Sequence, residues 1–258
     1  MIRTASQFFK RCISGICLND FVPPVCGKIV LKFRNFFHLT PAGKRQGHFC
    51  YLPGGYRPDF VLDIGAATGY TAYAAIQSFE DIPVYCVEPM EKNFTILLKS
   101  IESYPKRAFA YNLALSDITG EMEINLTNSP YANSLFELSE QYREDNPDIH
   151  IVGKQKVWVE TLDNFAKKIH LSGKGLLKID VEGAELNVLN GGRTFIEEHI
   201  SAIIIEFAFN RGIDRINQVM SLLHELGFNL ENVFDICRAS SPKNTLVQLD
   251  AVYLKKEL

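Results

Sequence analysis

From residue 58 onward, short apolar runs alternate with stretches whose apolar residues recur at helical spacing, the pattern of a parallel sheet covered by helices on both faces. The first run, FVLDI at 60–64, leads into the small-residue turn GAATG at 65–69. Ala72, Ala75, Ile76 and Phe79 then fall at i, i+3, i+4 and i+7, so strand, tight turn and helix are predicted in succession. PVYCV at 83–87 predicts a second strand, and Phe94, Leu97, Leu98 and Ile101 mark one face of the next helix. AFAYNLAL at 108–115 predicts a third strand. LLKIDV at 176–181, AIIIEF at 202–207 and residues 247–254 predict three more. A helix between the last two carries Ile216, Val219, Met220 and Leu223 on one face and is capped by Gly227. The fold class expected is a doubly wound α/β domain over residues 58–258.

Two stretches fall outside this alternation. Residues 121–126 and 157–162 predict a two-stranded insertion flanking a polar segment, 127–156, that is longer than ordinary connections. It reads equally as a lid or substrate loop and as a surface excursion. Residues 1–57, with Pro23 and Pro24 and the pair Gly54 and Gly55, read as an N-terminal cap.

Composition narrows the function classes. The 258 residues are 47% hydrophobic, which excludes a disordered chain. Lys plus Arg number 27 against 30 Asp plus Glu, with no basic block, so a nucleic-acid partner is not expected. No apolar run has the length of a signal peptide or a membrane span. Cys12, Cys17, Cys26, Cys50, Cys86 and Cys237 form no CxxC pair and lie far from any histidine at zinc-ligand spacing. Reduced thiols, no metal centre and a cytoplasmic setting are therefore expected. His38, His48, His150, His170 and His224 stand isolated and read as structural.

The chemistry concentrates at DIGAATGYT, residues 63–71, where a strand hands over to a helix. Gly65, Ala66, Ala67 and Gly69 let a ligand approach the backbone. The dinucleotide fingerprint GxGxxG is absent, because Ala67 and Tyr70 stand where its second and third glycines belong. Asp63, on the strand before the turn, would repel a pyrophosphate and suits a cationic ligand. Glu88, at the end of the next strand, is placed to accept hydrogen bonds from two ribose hydroxyls. A ribose joined to a positively charged, amino-acid-like group describes S-adenosylmethionine.

Here the chain resembles the class I S-adenosylmethionine-dependent methyltransferases, and within them the FkbM family. The resemblance rests on FVLDIGAATGYT, CVEP followed by Asn93, NLALSD at 112–117, VETLDNF at 159–165, LLKIDVEGAELNVLNGG at 176–192 and AIIIEF. It implies a Rossmann-like, mostly parallel seven-stranded sheet with an antiparallel final strand. It also implies methyl transfer to a hydroxyl of a sugar, glycan or natural-product metabolite. By position, Asp63, Gly65, Ala66 and Gly69 would shape the methionine and ribose pocket, Glu88 would take the ribose hydroxyls, and Ser116 and Asp117 would face the adenine edge. The family turn commonly reads GANxG, and Ala67 replaces its asparagine.

On the acceptor side, Lys178, Asp180 and Glu182 share one face if the strand runs straight, and together they would orient a hydroxyl and take its proton. Glu206, at the end of the neighbouring strand, is a second candidate proton acceptor. The same acids would equally suit a divalent metal. Glu185 reads as a helix-start residue. Tyr131, Asn133, Ser134, Asn210 and Arg211 are positioned for contacts to a hydroxylated acceptor. Three alternatives stay open: a non-catalytic binding or scaffold protein that keeps the fold, a nicotinamide-dependent dehydrogenase, and methylation of nitrogen.

Overall fold

The computed structural model describes residues 45–129, 132–239 and 245–256, so Pro23, Pro24, Tyr131 and most of the N-terminal cap lie outside the described residues. A 3₁₀ turn, Gly47–Tyr51, precedes β1 (Phe60–Ile64), α1 (Tyr70–Ser78), β2 (Val84–Val87), α2 (Glu91–Ile101), β3 (Ala108–Tyr111), β4 (Ala114–Ser116) and β5 (Gly120–Thr127). Then come α3 (Glu140–Asp145), β6 (Ile151–Thr161), α4 (Leu162–Lys168), β7 (Gly175–Ile179), α5 (Glu185–Asn190) and α6 (Arg193–His199). The chain continues through β8 (Ile200–Ala208), α7 (Ile213–Glu225), β9 (Phe228–Arg238) and β10 (Leu246–Lys255).

Seven strands form one sheet in the order β3-β2-β1-β7-β8-β10-β9. β1, β2, β3, β7 and β8 run parallel, and β10 pairs antiparallel with both β8 and β9. The central strands are apolar on both faces because helices cover both. Leu62, Leu177 and Ile203 pack against α4, α5, α6 and α7, whereas Val61, Leu176 and Ile204 pack against α1 and α2. The second face also takes Phe49 and Leu52, so this part of the expected cap belongs to the domain's own core. After β1 the chain winds outward to β3 and returns to β7 on the other side of β1. This reversal leaves a crevice at the carboxyl ends of β1 and β7, where such sheets bind ligands.

Several elements differ from expectation. The run 108–115 is two strands, not one: β3 ends at Tyr111, and β4 belongs to a separate three-stranded sheet of order β4-β6-β5. The break sits at Asn112, whose side-chain amide donates to the carbonyls of Glu88 (2.9 Å) and Pro89 (3.1 Å) and turns the chain away from the main sheet. β6 reaches back to Ile151, so the latter part of the polar segment is strand and the insertion is three-stranded. LLKIDV stops being strand at Ile179. The seventh strand, β9, escaped the pattern: as the sheet edge it exposes most of residues 229–233 and carries no clean alternation. On α2 the buried face is Asn93, Leu97 and Ile101, with Leu98 exposed, and on α7 Leu222 is buried where Met220 was expected.

Gly191 marks the seam between the two sheets, because a Cβ there would lie 1.9 Å from the Ser116 carbonyl oxygen of β4. Its φ of -74° is ordinary, so only space is at issue. Gly191→Ala should lower unfolding stability by about 1–3 kcal/mol. Gly153→Ala, whose new methyl meets nothing closer than 3.9 Å, should stay within about 0.5 kcal/mol, both read by urea unfolding.

Candidate active site

The turn after β1 is shaped by close approach. Gly65 has φ +83°, and a Cβ there would sit 1.9 Å from the Asp180 carbonyl oxygen, so the loops after β1 and β7 can cross only over a glycine. Ala67 also adopts positive φ, +47°, and turns its N–H to the Glu88 carboxylate at 2.9 Å. Position 67 thus contributes a backbone donor, which alanine also carries. The other Glu88 oxygen accepts the Met90 N–H at 2.8 Å, and the Asn93 side chain bonds the same carboxylate. Burial pushes this carboxyl up to about 7, against the lowering effect of the Met90, Ala67 and Asn93 donors.

Across the crevice, β7 ends and the backbone bends. Glu182 has φ +55° and Gly183 +105°, so Glu182 reaches the site by a turn and not by strand alternation with Lys178 and Asp180. The turn is held by Glu185, whose carboxylate accepts the N–H of Gly183 at 3.0 Å; burial raises its pKa. Lys178 is only 1% exposed and places its ammonium 3.0 Å from Asp180. Burial alone would lower its pKa, but the fields of Asp180, Asp250, Asp63 and Glu206 outweigh that and raise it. Arg211 clasps Glu182 at both carboxylate (2.6 Å) and carbonyl (3.0 Å), and its guanidinium lies 4.2 Å from the Tyr142 ring centre. Gln248 donates to Glu206. Ligand oxygens of Asp180, Glu182 and Glu206 lie within 4.8 Å of one another.

Between these two walls runs a cleft of about 740 Å³, its solvent-open part included. Of the residues expected there, Gly65, Ala67, Glu88, Asp180 and Glu182 line it, as do Asn133 and Ser134. Asp63 and Ala66 are buried beneath the turn, and Gly69 packs against Leu97 and Ser100 of α2. Lys178 and Glu206 stand behind Asp180 and Glu182. Ser116 and Asp117 lie outside the lining: Ser116 is buried, and Asp117 bonds Asn187 at 2.9 Å. Their expected place is filled by Leu113, Ala114 and Leu115, an apolar wall with Met90 and Ile124. Asn210 is a strut, bonding Asp145 at 3.1 Å and accepting from Ser139. His48 is not isolated but buried beside Asp235, Nε2 to Oδ2 3.9 Å. Its partners are 187 and more residues away, beyond any spacing rule.

The insertion supplies one side of the cleft. Ser134 donates to the Glu182 carbonyl at 2.7 Å, and Asn133 accepts the Thr127 N–H at 2.8 Å. Segment 132–146 is therefore tied down at Glu182, at Asn210 and through Tyr142 at Arg211.

The chain belongs to the FkbM methyltransferase domain family, whose model matches residues 63–230. The family is one of methyltransferases. No curated protein matches it in sequence. Among solved structures it is similar to methyltransferase FkbM from Methylobacillus flagellatus KT, at 18% identity and TM-score 0.48 over 77% of this chain and 45% of that one. It thus spans under half the length of that relative. The ribosomal protein L11 methylase from Lactobacillus delbrueckii subsp. bulgaricus matches at 9% identity and TM-score 0.43, covering 79% and 73% of the two chains. Aeropyrum pernix fibrillarin, in complex with natively bound S-adenosyl-L-methionine, matches at 10% identity and TM-score 0.40, covering 87% and 74%. Among the described residues, no helix is long and apolar enough to cross a membrane.

Glu88 makes stability depend on pH. Its folded value of about 7 exceeds the ordinary 4.5, so the folded state binds the extra proton, and the stabilisation present below pH 4.5 is lost as pH rises through 7. Wild-type stability relative to Glu88→Gln, measured by urea unfolding across pH, should fall by up to about 3 kcal/mol over that window and flatten above it.

Proposed function

We propose that the protein is an S-adenosylmethionine-dependent O-methyltransferase acting on a hydroxyl of a sugar, glycan or natural-product metabolite. The observation that carries this reading is the Glu88 carboxylate, fixed by two backbone donors at the mouth of a small-residue turn and facing a cleft with an apolar far wall. The Glu88 carboxylate accepts the Ala67 and Met90 amides and the Asn93 side chain, which leaves acceptor capacity for a ribose hydroxyl. Met90, Leu113, Leu115 and Ile124 offer flat apolar surface for an adenine. The residues present therefore fit the group.

Bound there, S-adenosylmethionine supplies an electrophilic methyl on a sulfonium. The chain's residues do the rest. Asp180, oriented by Lys178 at 3.0 Å, accepts the proton of the acceptor hydroxyl at its carboxylate, a role worth roughly 10²–10⁴-fold in rate. Glu182, held by Arg211, positions the acceptor beside it, and Asn133 and Ser134 close the cleft over it. Alignment of the acceptor oxygen with the methyl provides most of the remaining acceleration. In this reading the insertion is the acceptor-selecting segment, and the setting is cytoplasmic on the spread of the cysteines.

Calorimetric titration with S-adenosylmethionine and its demethylated product, with NADH as control, tests the proposal. Glu88→Ala should weaken adenosyl binding about 10–100-fold, one charge-assisted hydrogen bond or slightly more. Asp180→Asn should spare that binding and slow turnover of a hydroxylated acceptor by about 10²–10⁴-fold. Folded protein that binds neither adenosyl ligand would put the non-catalytic reading first.

A further inference from the structure

On the α1 face of the sheet, the apolar positions Val61, Leu176, Ile204 and Val252 give way two residues along to Asp63, Lys178, Glu206 and Asp250. The result is a buried polar stripe. Four carboxylates, Asp63, Asp180, Glu206 and Asp250, act on the Lys178 ammonium, and Asp235 lies alongside.

At one end of the stripe three donors meet. His48 comes from the 3₁₀ turn, Asp235 from β9 and Asp250 from β10, and one ligand atom of each lies within 4.8 Å of the other two. Asp235 gets there through a β-bulge. Cys237 opposes Gln248 while Phe234 opposes Asp250, so β9 carries one extra residue, and Asp235 sits in it with φ +49°. In a regular strand Asp235 would point opposite to buried Phe234; the bulge instead brings its carboxylate to His48. The imidazole is itself seated by rings, 5.6 Å from Phe234, on which Tyr51 stacks at 4.0 Å.

We propose that His48, Asp235 and Asp250 bind a divalent first-row transition-metal ion such as Zn²⁺, distinct from the acids lining the cleft. Metal–ligand bonds of about 2.0–2.2 Å hold ligand atoms roughly 3–4 Å apart, so small side-chain rotations complete the set. One imidazole with two carboxylates selects against Mg²⁺ and Ca²⁺, which prefer oxygen alone. The ion pins the 3₁₀ turn to the β9–β10 edge. The assignment does not depend on what the cleft binds.

The test uses the whole chain, freed of metal with chelator and titrated calorimetrically with Zn²⁺ in excess Mg²⁺. One equivalent should bind, and His48→Ala and Asp235→Asn should each weaken that binding at least 10-fold. Asp180→Asn should leave it unchanged. X-ray absorption of the Zn²⁺-loaded wild type should show one imidazole in the first shell, a readout that needs no variant to fold. Absence of saturable binding, binding lost in Asp180→Asn but kept in His48→Ala, or an oxygen-only shell would each overturn the assignment.

Discussion

An ammonium group buried at the centre of a parallel sheet needs its counter-charges brought to it, and around Lys178 that requirement organises much of the molecule. The apolar floor of the α1 face puts the lysine out of reach of water, so carboxylates from β1, β8, β10 and the loop after β7 converge on it. Register decides which: Asp63 is its direct neighbour on β1, and the antiparallel return of β10 sets Asp250 opposite Glu206. Removing the lysine would leave several buried acids without their common partner, a far larger loss than any one ion pair at a surface.

The same arrangement explains how the cleft is held open. Its two walls end in turns that cross where Gly65 passes under the Asp180 carbonyl, and each turn is tied by carboxylates accepting backbone amides, Glu88 on one side and Glu185 on the other. Acidic side chains thus shape the backbone before they meet any ligand. Arg211 adds an outer brace, gripping Glu182 from the 3₁₀ turn Phe209–Arg211 while stacking on Tyr142 of α3.

The doubly wound sheet was legible because its central strands are short apolar runs separated by helical spacing, and the crevice was legible because DIGAATGYT and Glu88 sit at successive strand ends. Legibility failed where long-range contacts overrode local pattern. AFAYNLAL reads as one strand by composition, yet Asn112 finds two carbonyls after β2 and turns the chain into another sheet. β9 hides because an edge strand owes no face to the core, and the left-handed turn at Glu182 is held by Glu185 and braced by Arg211, whose pairing no spacing announces. Motif position places Ser116 and Asp117 at the ligand, and the cleft lining itself holds Leu113, Ala114 and Leu115 just before them.

The hand-over at Asn112 has a mechanical meaning. Only two residues separate the last residue of β3 from the first of β4, and β4 shares its sheet with the strands that bear Ile124 and lead to Asn133 and Ser134. The far wall at Leu113–Leu115 and the roof over Glu182 are consequently parts of one three-stranded body, anchored to the main domain at Asn112, Gly191 and Glu182. A substitution that shifts this body therefore reshapes the wall and the roof of the cleft together.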